Sequence, residues 1–131
     1  MSNENLLKGV MSDYYSIVNK TIDGLSGHFV IRLNPDCKVY EGHFPGEPVS
    51  PGVCNIEMLL ECAAQVMGYP LRARKISRCR LTTLITPLSH PELELHIDLK
   101  EKEPALFVLN AEIGKDADNY MSLRAEVTRD E

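Results

Sequence analysis

A chain of 131 residues has the length of one domain and is long enough to bury a core. Its formal net charge of −5 leaves none of the broad basic face that bulk nucleic-acid binding requires. The most apolar stretch, 53–69, is interrupted by Glu57, Glu61 and Gln65, so it reads as a buried helix and not a membrane span. The four cysteines, Cys37, Cys54, Cys62 and Cys79, form no CxxC pair, and no His stands at zinc-ligand spacing from two of them. They are expected as buried, reduced thiols of a cytoplasmic protein. The opening Met1-Ser2-Asn3-Glu4-Asn5 has no basic segment before an apolar one, so no signal peptide is expected.

In chain order, residues 3–11 are expected as a short helix or lead-in. Tyr14 to Ile22 is dense in aromatic and β-branched residues and predicts a strand, closed by the Asp23-Gly24 turn signal. Phe29, Ile31 and Leu33 alternate with Val30, Arg32 and Asn34, which predicts a second strand over 26–34, ended by Asn34-Pro35-Asp36. A loop of residues 41–52 is rich in proline and glycine. One helix is predicted over 53–68, preceded by Pro51 and Gly52 and stopped by Gly68-Tyr69-Pro70. Its apolar face is expected to be Ile56, Leu60, Ala63, Ala64 and Met67, bordered by a polar stripe of Glu57, Glu61 and Gln65. Strands follow over Ile76–Ile85, over the strict alternation Leu93, Leu95, Ile97 and Leu99, over Leu106–Ile113, and over Met121, Leu123, Ala125 and Val127. Two strands, one helix and four strands predict an α+β domain in which a curved antiparallel sheet wraps the only available cover.

The chemistry-bearing residues cluster where the loop meets the helix. Prolines 45, 48 and 51 and glycines 42, 46 and 52 make poor core material but a rigid loop, and that loop carries His43. The first helical N–H groups, at Gly52 and Val53, lack intrahelical partners and suit a developing negative charge. Glu57 sits on the first turns among Ile56, Met58 and Leu60, where an apolar setting would raise a carboxyl's pKa and let it donate a proton. A base, an acid and free amides are what proton chemistry beside a carbonyl requires.

The run Gly42-His43-Phe44-Pro45-Gly46-Glu47-Pro48-Val49-Ser50-Pro51-Gly52-Val53 with Glu57 four residues on resembles the active-site segment of the 3-hydroxyacyl-acyl-carrier-protein dehydratases. The resemblance implies the hot-dog fold. It places the catalytic base at His43 and the catalytic acid at Glu57, with a backbone carbonyl at Val49 fixing the His tautomer and with amides at Gly52 and Val53 holding the thioester oxygen. It implies dehydration of a 3-hydroxyacyl chain carried on acyl carrier protein, without metal or organic cofactor, by a homodimer or higher homo-oligomer whose site is often shared across the dimer. Neither nucleic acid nor membrane is an implied partner. Two departures stand out. Glu61 occupies a position where many relatives carry Gln, with Gln65 a turn later, and a second carboxylate there would tune the acid or signal altered activity. The usual Arg-Tyr-Pro-Phe opening is replaced by Tyr14-Tyr15-Ser16-Ile17-Val18.

Arg72, Arg74, Lys75, Arg78 and Arg80 form the one dense basic cluster, which is either a solvated strand edge or a docking patch for the acidic carrier. A hot-dog thioesterase, using a carboxylate and water, and a non-catalytic acyl-carrier binding subunit are the alternatives. The presence of both His43 and Glu57 argues against the second.

Overall fold

The computed structural model describes residues 13–40 and 49–130. The expected lead-in at 3–11 and residues 41–48 of the loop lie outside them. Six strands form one antiparallel sheet: β1 (Tyr15–Asp23), β2 (Ser26–Leu33), β3 (Leu71–Leu81), β4 (Glu92–Glu103), β5 (Leu106–Lys115) and β6 (Asp118–Arg129), in the order β1-β2-β4-β5-β6-β3. Among the described residues one α-helix, α1 (Gly52–Met67), lies on its inner face. This is the curved sheet around a helix that the alternation predicted, and the hot-dog fold that the family resemblance implied. A short 3-10 turn at Lys38–Tyr40, not expected from the sequence, leads from β2 towards the loop.

Period-2 alternation builds the sheet. Paired residues share a face, so inward side chains line up in rows across the strands. One row runs Phe29, Leu95, Ile113, Met121 and Leu81. Another runs Leu99, Leu109, Ala125 and Ile76. On β4 the inward Leu93, Leu95, Ile97 and Leu99 are all buried, while the intervening His96, Asp98 and Lys100 are exposed.

The helix begins at Gly52, one residue before the expected start. Pro51 caps it in extended conformation, and its C=O accepts from the N–H groups of Cys54 and Asn55. It ends at Gly68, where a left-handed φ of 87° directs the N–H back to Ala64 C=O at 2.8 Å. The buried face differs from the expected one. Cys54, Asn55, Met58, Leu59, Leu60, Cys62 and Ala63 are buried, whereas Ile56, Ala64 and Met67 only border the core. The face is rotated because Cys54 and Cys62 pack as small apolar groups and Asn55 enters the core with a hydrogen-bond partner. On β2, Gly27 lets the sheet close onto the helix: a Cβ there would stand 2.7 Å from Val66 Cγ2.

The strand expected at Ile76–Ile85 is instead Leu71–Leu81. Two register shifts, between Ala73 and Lys75 and between Ile76 and Arg78, each insert one residue into β3. By pairing with inward β6 residues, the inner positions are Ala73, Ile76, Cys79 and Leu81, a spacing that hides the alternation. Residues 82–85 have left the sheet, with Thr82 and Thr83 N–H bonded to Tyr120 C=O. Cys79 is exposed, contrary to the expectation that all four thiols are buried. Cys37, Cys54 and Cys62 are buried as expected.

Truncating Leu95, which has no exposed surface, to alanine should cost about 2–5 kcal/mol of unfolding free energy. Replacing the outward Lys100 by alanine should change stability by less than about 0.5 kcal/mol. Urea denaturation of the two variants measures both.

Candidate active site

The loop that carries His43 is anchored at both described ends. Ser50 is buried. Its N–H donates to Ile85 C=O at 2.7 Å, and its hydroxyl shares a 2.9 Å hydrogen bond with the Tyr40 hydroxyl. Tyr40 ends the segment before the loop, so this bond ties together the chain on either side of residues 41–48. Tyr14 stacks on Tyr40, with ring centroids 6.1 Å apart. Its own hydroxyl donates to Asn55 Oδ1 at 2.6 Å, fixing the first turn of α1. The Asn55 Nδ2 is buried and has no hydrogen-bond partner among the described residues. Burial holds both the Tyr14 and Tyr40 phenols above their ordinary pKa, so they remain neutral donors.

Of the residues singled out from the sequence, His43 lies outside the described residues. Val49 is half-buried and immediately precedes the Ser50 anchor. Gly52 and Val53 are exposed at the helix start. Their N–H groups stand ahead of the first bonded pair, Cys54 and Asn55, and point out of the N-terminal end.

Glu57 is half-buried one turn in, and it lines a cleft of about 220 Å³ together with Glu61, Leu60, Arg72 and Asp130. Glu61 accepts a 2.8 Å hydrogen bond from the Tyr15 hydroxyl, and Gln65 Oε1 accepts one of 2.8 Å from Lys20 Nζ. The polar stripe of α1 thus faces β1 on one side and the cleft on the other. A larger depression of about 480 Å³ opens on the outer face of the sheet, lined by His28, His96 and Asp98 among others. None of its lining residues belongs to α1, whereas Glu57, Leu60, Glu61 and Ala64 of α1 line the smaller cleft, which is therefore the candidate site. Among the described residues, no group of three or more His, Cys, Asp or Glu side chains is arranged to hold a metal ion.

The basic cluster lies on β3, the edge strand. Register with β6 puts Arg72, Lys75, Arg78 and Arg80 on the outer face, with Arg74 at the first bulge. Of these, Arg72 also reaches the cleft. Sequence reasoning missed Tyr14, Tyr15, Tyr40, Ser50 and Asn55 as supports of the site. Their one signal was the departure at Tyr14-Tyr15 from the usual opening.

A curved antiparallel sheet wrapped on a helix defines a hot-dog protein. The chain belongs to the ApeI-like family, described as the ApeI dehydratase, which matches residues 18–122. It is 37% identical over 59 residues to the 3-hydroxyacyl-[acyl-carrier-protein] dehydratase FabZ of Haemophilus influenzae; that match spans 41% of this chain and 36% of the relative. The solved dehydratase heterocomplex ApeI:P from Xenorhabdus doucetiae superimposes with a TM-score of 0.69 at 18% identity, covering 87% of this chain and 97% of that one. The thioesterase SAV0944 from Staphylococcus aureus superimposes with a TM-score of 0.62 at 13% identity, over 95% and 97% of the two chains. At these identities the structural likenesses speak for the fold alone. No helix among the described residues is long and apolar enough to cross a membrane.

The thiols provide a test of the packing around α1. Burial pushes Cys54 up to about 11, with the charges of Cys37 and Glu57 adding to it, and burial pushes Cys62 up to about 12. A disulfide reagent at pH 8 should therefore modify Cys79 in the native protein. Cys37, Cys54 and Cys62 should react only once the protein is unfolded, because the thiolate is the reactive form and access is needed. Mass mapping of the modified cysteines checks this.

Proposed function

We propose that the protein is a dehydratase that removes water from a 3-hydroxyacyl thioester on acyl carrier protein to give the trans-2-enoyl thioester, in fatty-acid or related polyene synthesis in the cytoplasm. The observation that carries this reading is the coincidence of family and placement. The chain is of the ApeI-like family, and its helix presents Glu57 one turn from the Gly52 and Val53 amides.

In this reading His43 takes the proton from C2. The C2–H electron pair becomes the C2=C3 double bond, and the C3–O bond breaks as Glu57 protonates the departing hydroxyl, which leaves as water. The amides of Gly52 and Val53 hold the thioester oxygen as negative charge builds on it. The Val49 carbonyl orients the His43 ring. The protein supplies every group the elimination needs, without metal or organic cofactor. The thioesterase reading remains the alternative, since hot-dog thioesterases share the fold.

His43→Ala and Glu57→Gln should each lower enoyl formation by about a hundredfold or more while the protein stays folded. The assay follows enoyl absorbance and free thiol release together. Thiol release without enoyl formation would establish the thioesterase instead, and near wild-type dehydration by either variant would remove that residue's role.

We infer an assembly of two or more copies. Among the described residues the edge strand β3 pairs on one side alone, and Ile76, Leu81 and Leu84 on or beside it are exposed apolar residues. A shared site would let a mixture of the His43→Ala and Glu57→Gln chains recover part of the activity, whereas sites complete within one chain would leave the mixture inactive.

The cations of β3 suit an acidic carrier. Edge pairing uses main-chain groups in the plane of the sheet and leaves the outer-face side chains accessible. Reversing Arg74 and Arg78 to Glu should therefore weaken capture of a carrier-linked substrate but leave turnover of a short substrate mimic intact. The wild-type advantage should shrink with salt, since the Debye length is about 8 Å at physiological ionic strength. Equal loss on both substrates would point to damage of the site, and no loss on either would make the cluster a solvated strand face.

A further inference from the structure

Glu61 stands one turn beyond Glu57 on the same helix stripe, and both line the one cleft beside α1. Residues four apart on a helix have Cβ atoms about 5–6 Å from each other. The Glu61 carboxylate is held there from another element: the Tyr15 hydroxyl on β1, 46 residues earlier in the chain, donates to its Oε1 at 2.8 Å. Tyr15 is a donor that keeps its proton. Burial raises its pKa above the ordinary phenol value, with the charges of Cys62 and Glu61 adding to the effect.

We propose that Glu61, held by Tyr15, is a positioning residue whose negative charge keeps the dehydration proton on Glu57. The proposal rests on the reading of Glu57 as the acid. A fixed negative charge one turn away disfavours a second one, so the neutral, proton-donating form of Glu57 persists to higher pH than it otherwise would.

Among the described residues, Arg72, Asp130, Lys20, Cys62 and Cys54 stand around the pair. Arg72 of β3 opposes the Glu61 effect, but its side chain is exposed and its charge screened. Asp130, beyond β6, acts in the same sense as Glu61 from the far wall of the cleft. Lys20 of β1 is bonded to Gln65, one turn further along. Cys62 on α1 is a buried thiol whose pKa is pushed up to about 12, and Cys54 is pushed up to about 11, so both are neutral in the working range. Among the described residues, Glu61 is a negative group that a second element pins beside Glu57, and a turn of helix sets its distance.

The test reads the Glu57 carboxyl directly. Carbon-13 NMR titration of the substrate-free protein, with the Glu57 signal identified by its loss in Glu57→Gln, gives the midpoint of Glu57 in each variant. Glu61→Gln keeps the shape and can still accept from Tyr15. It should lower the Glu57 midpoint by about 0.2–0.4 unit. Glu61→Asp keeps the charge and should restore most of that difference. Tyr15→Phe releases the Glu61 side chain and should lower the midpoint by less than Glu61→Gln does.

With carrier-linked substrate, one limb of the pH–rate profile should move to lower pH in Glu61→Gln while the other stays. Identical Glu57 midpoints in the wild type and Glu61→Gln overturn the proposal, as does an equal loss of rate at every pH with both limbs unmoved. The titration needs no substrate. A wild type that titrates as expected but forms no enoyl product would therefore count against the dehydratase reading and leave the Glu61 effect standing.

Discussion

One constraint governs this molecule: among the described residues, a six-stranded sheet with an apolar inner face has one α-helix to cover it. Every inward row, such as Phe29, Leu95, Ile113 and Met121, must be removed from water by α1 or by the sheet's own curl. Each buried side chain of that size contributes about 1.5–3 kcal/mol relative to exposure. The cover must also approach closely, which is why β2 carries Gly27 where Val66 presses against it.

That demand shapes the site. The helix buries one face against the sheet, and the stripe Glu57, Glu61 and Gln65 runs along the border of that face. Each member has a defined surrounding: Glu57 the cleft, Glu61 the Tyr15 phenol, Gln65 the Lys20 ammonium. The same packing that excludes water from Met58, Leu59 and Cys62 lowers the local dielectric beside the carboxylates, which strengthens any interaction between them. The start of the helix is fixed with equal economy. Tyr14 grips Asn55 from β1's threshold, and Tyr40 grips Ser50 across the loop, so the Gly52 and Val53 amides are set by two buried polar contacts.

The edge strand shows how one element serves two surfaces. The bulges of β3 let its inner positions keep step with the inward residues of β6 while its cations stay on the outer face. Without those extra residues a strand with this sequence would turn Lys75 or Arg78 inward, since a one-residue slip exchanges the two faces. The inner positions Ile76, Cys79 and Leu81 remain exposed at the margin, because α1 does not reach that far.

Local pattern alone was enough to read β2, β4, β5 and β6, because alternation of period 2 survives wherever one face is buried and the other wet. It was also enough to read the helix between Pro51 and Gly68 and the polar stripe on it. It failed at β3, where two inserted residues break the period. It also misplaced the buried face of α1, where cysteines and one asparagine take core positions that hydropathy does not assign to them. The pairs Tyr15–Glu61, Tyr14–Asn55 and Tyr40–Ser50 were decided by the tertiary structure alone. Each joins residues from different segments, and a hydrogen bond between distant side chains leaves no periodic trace in the chain that forms it.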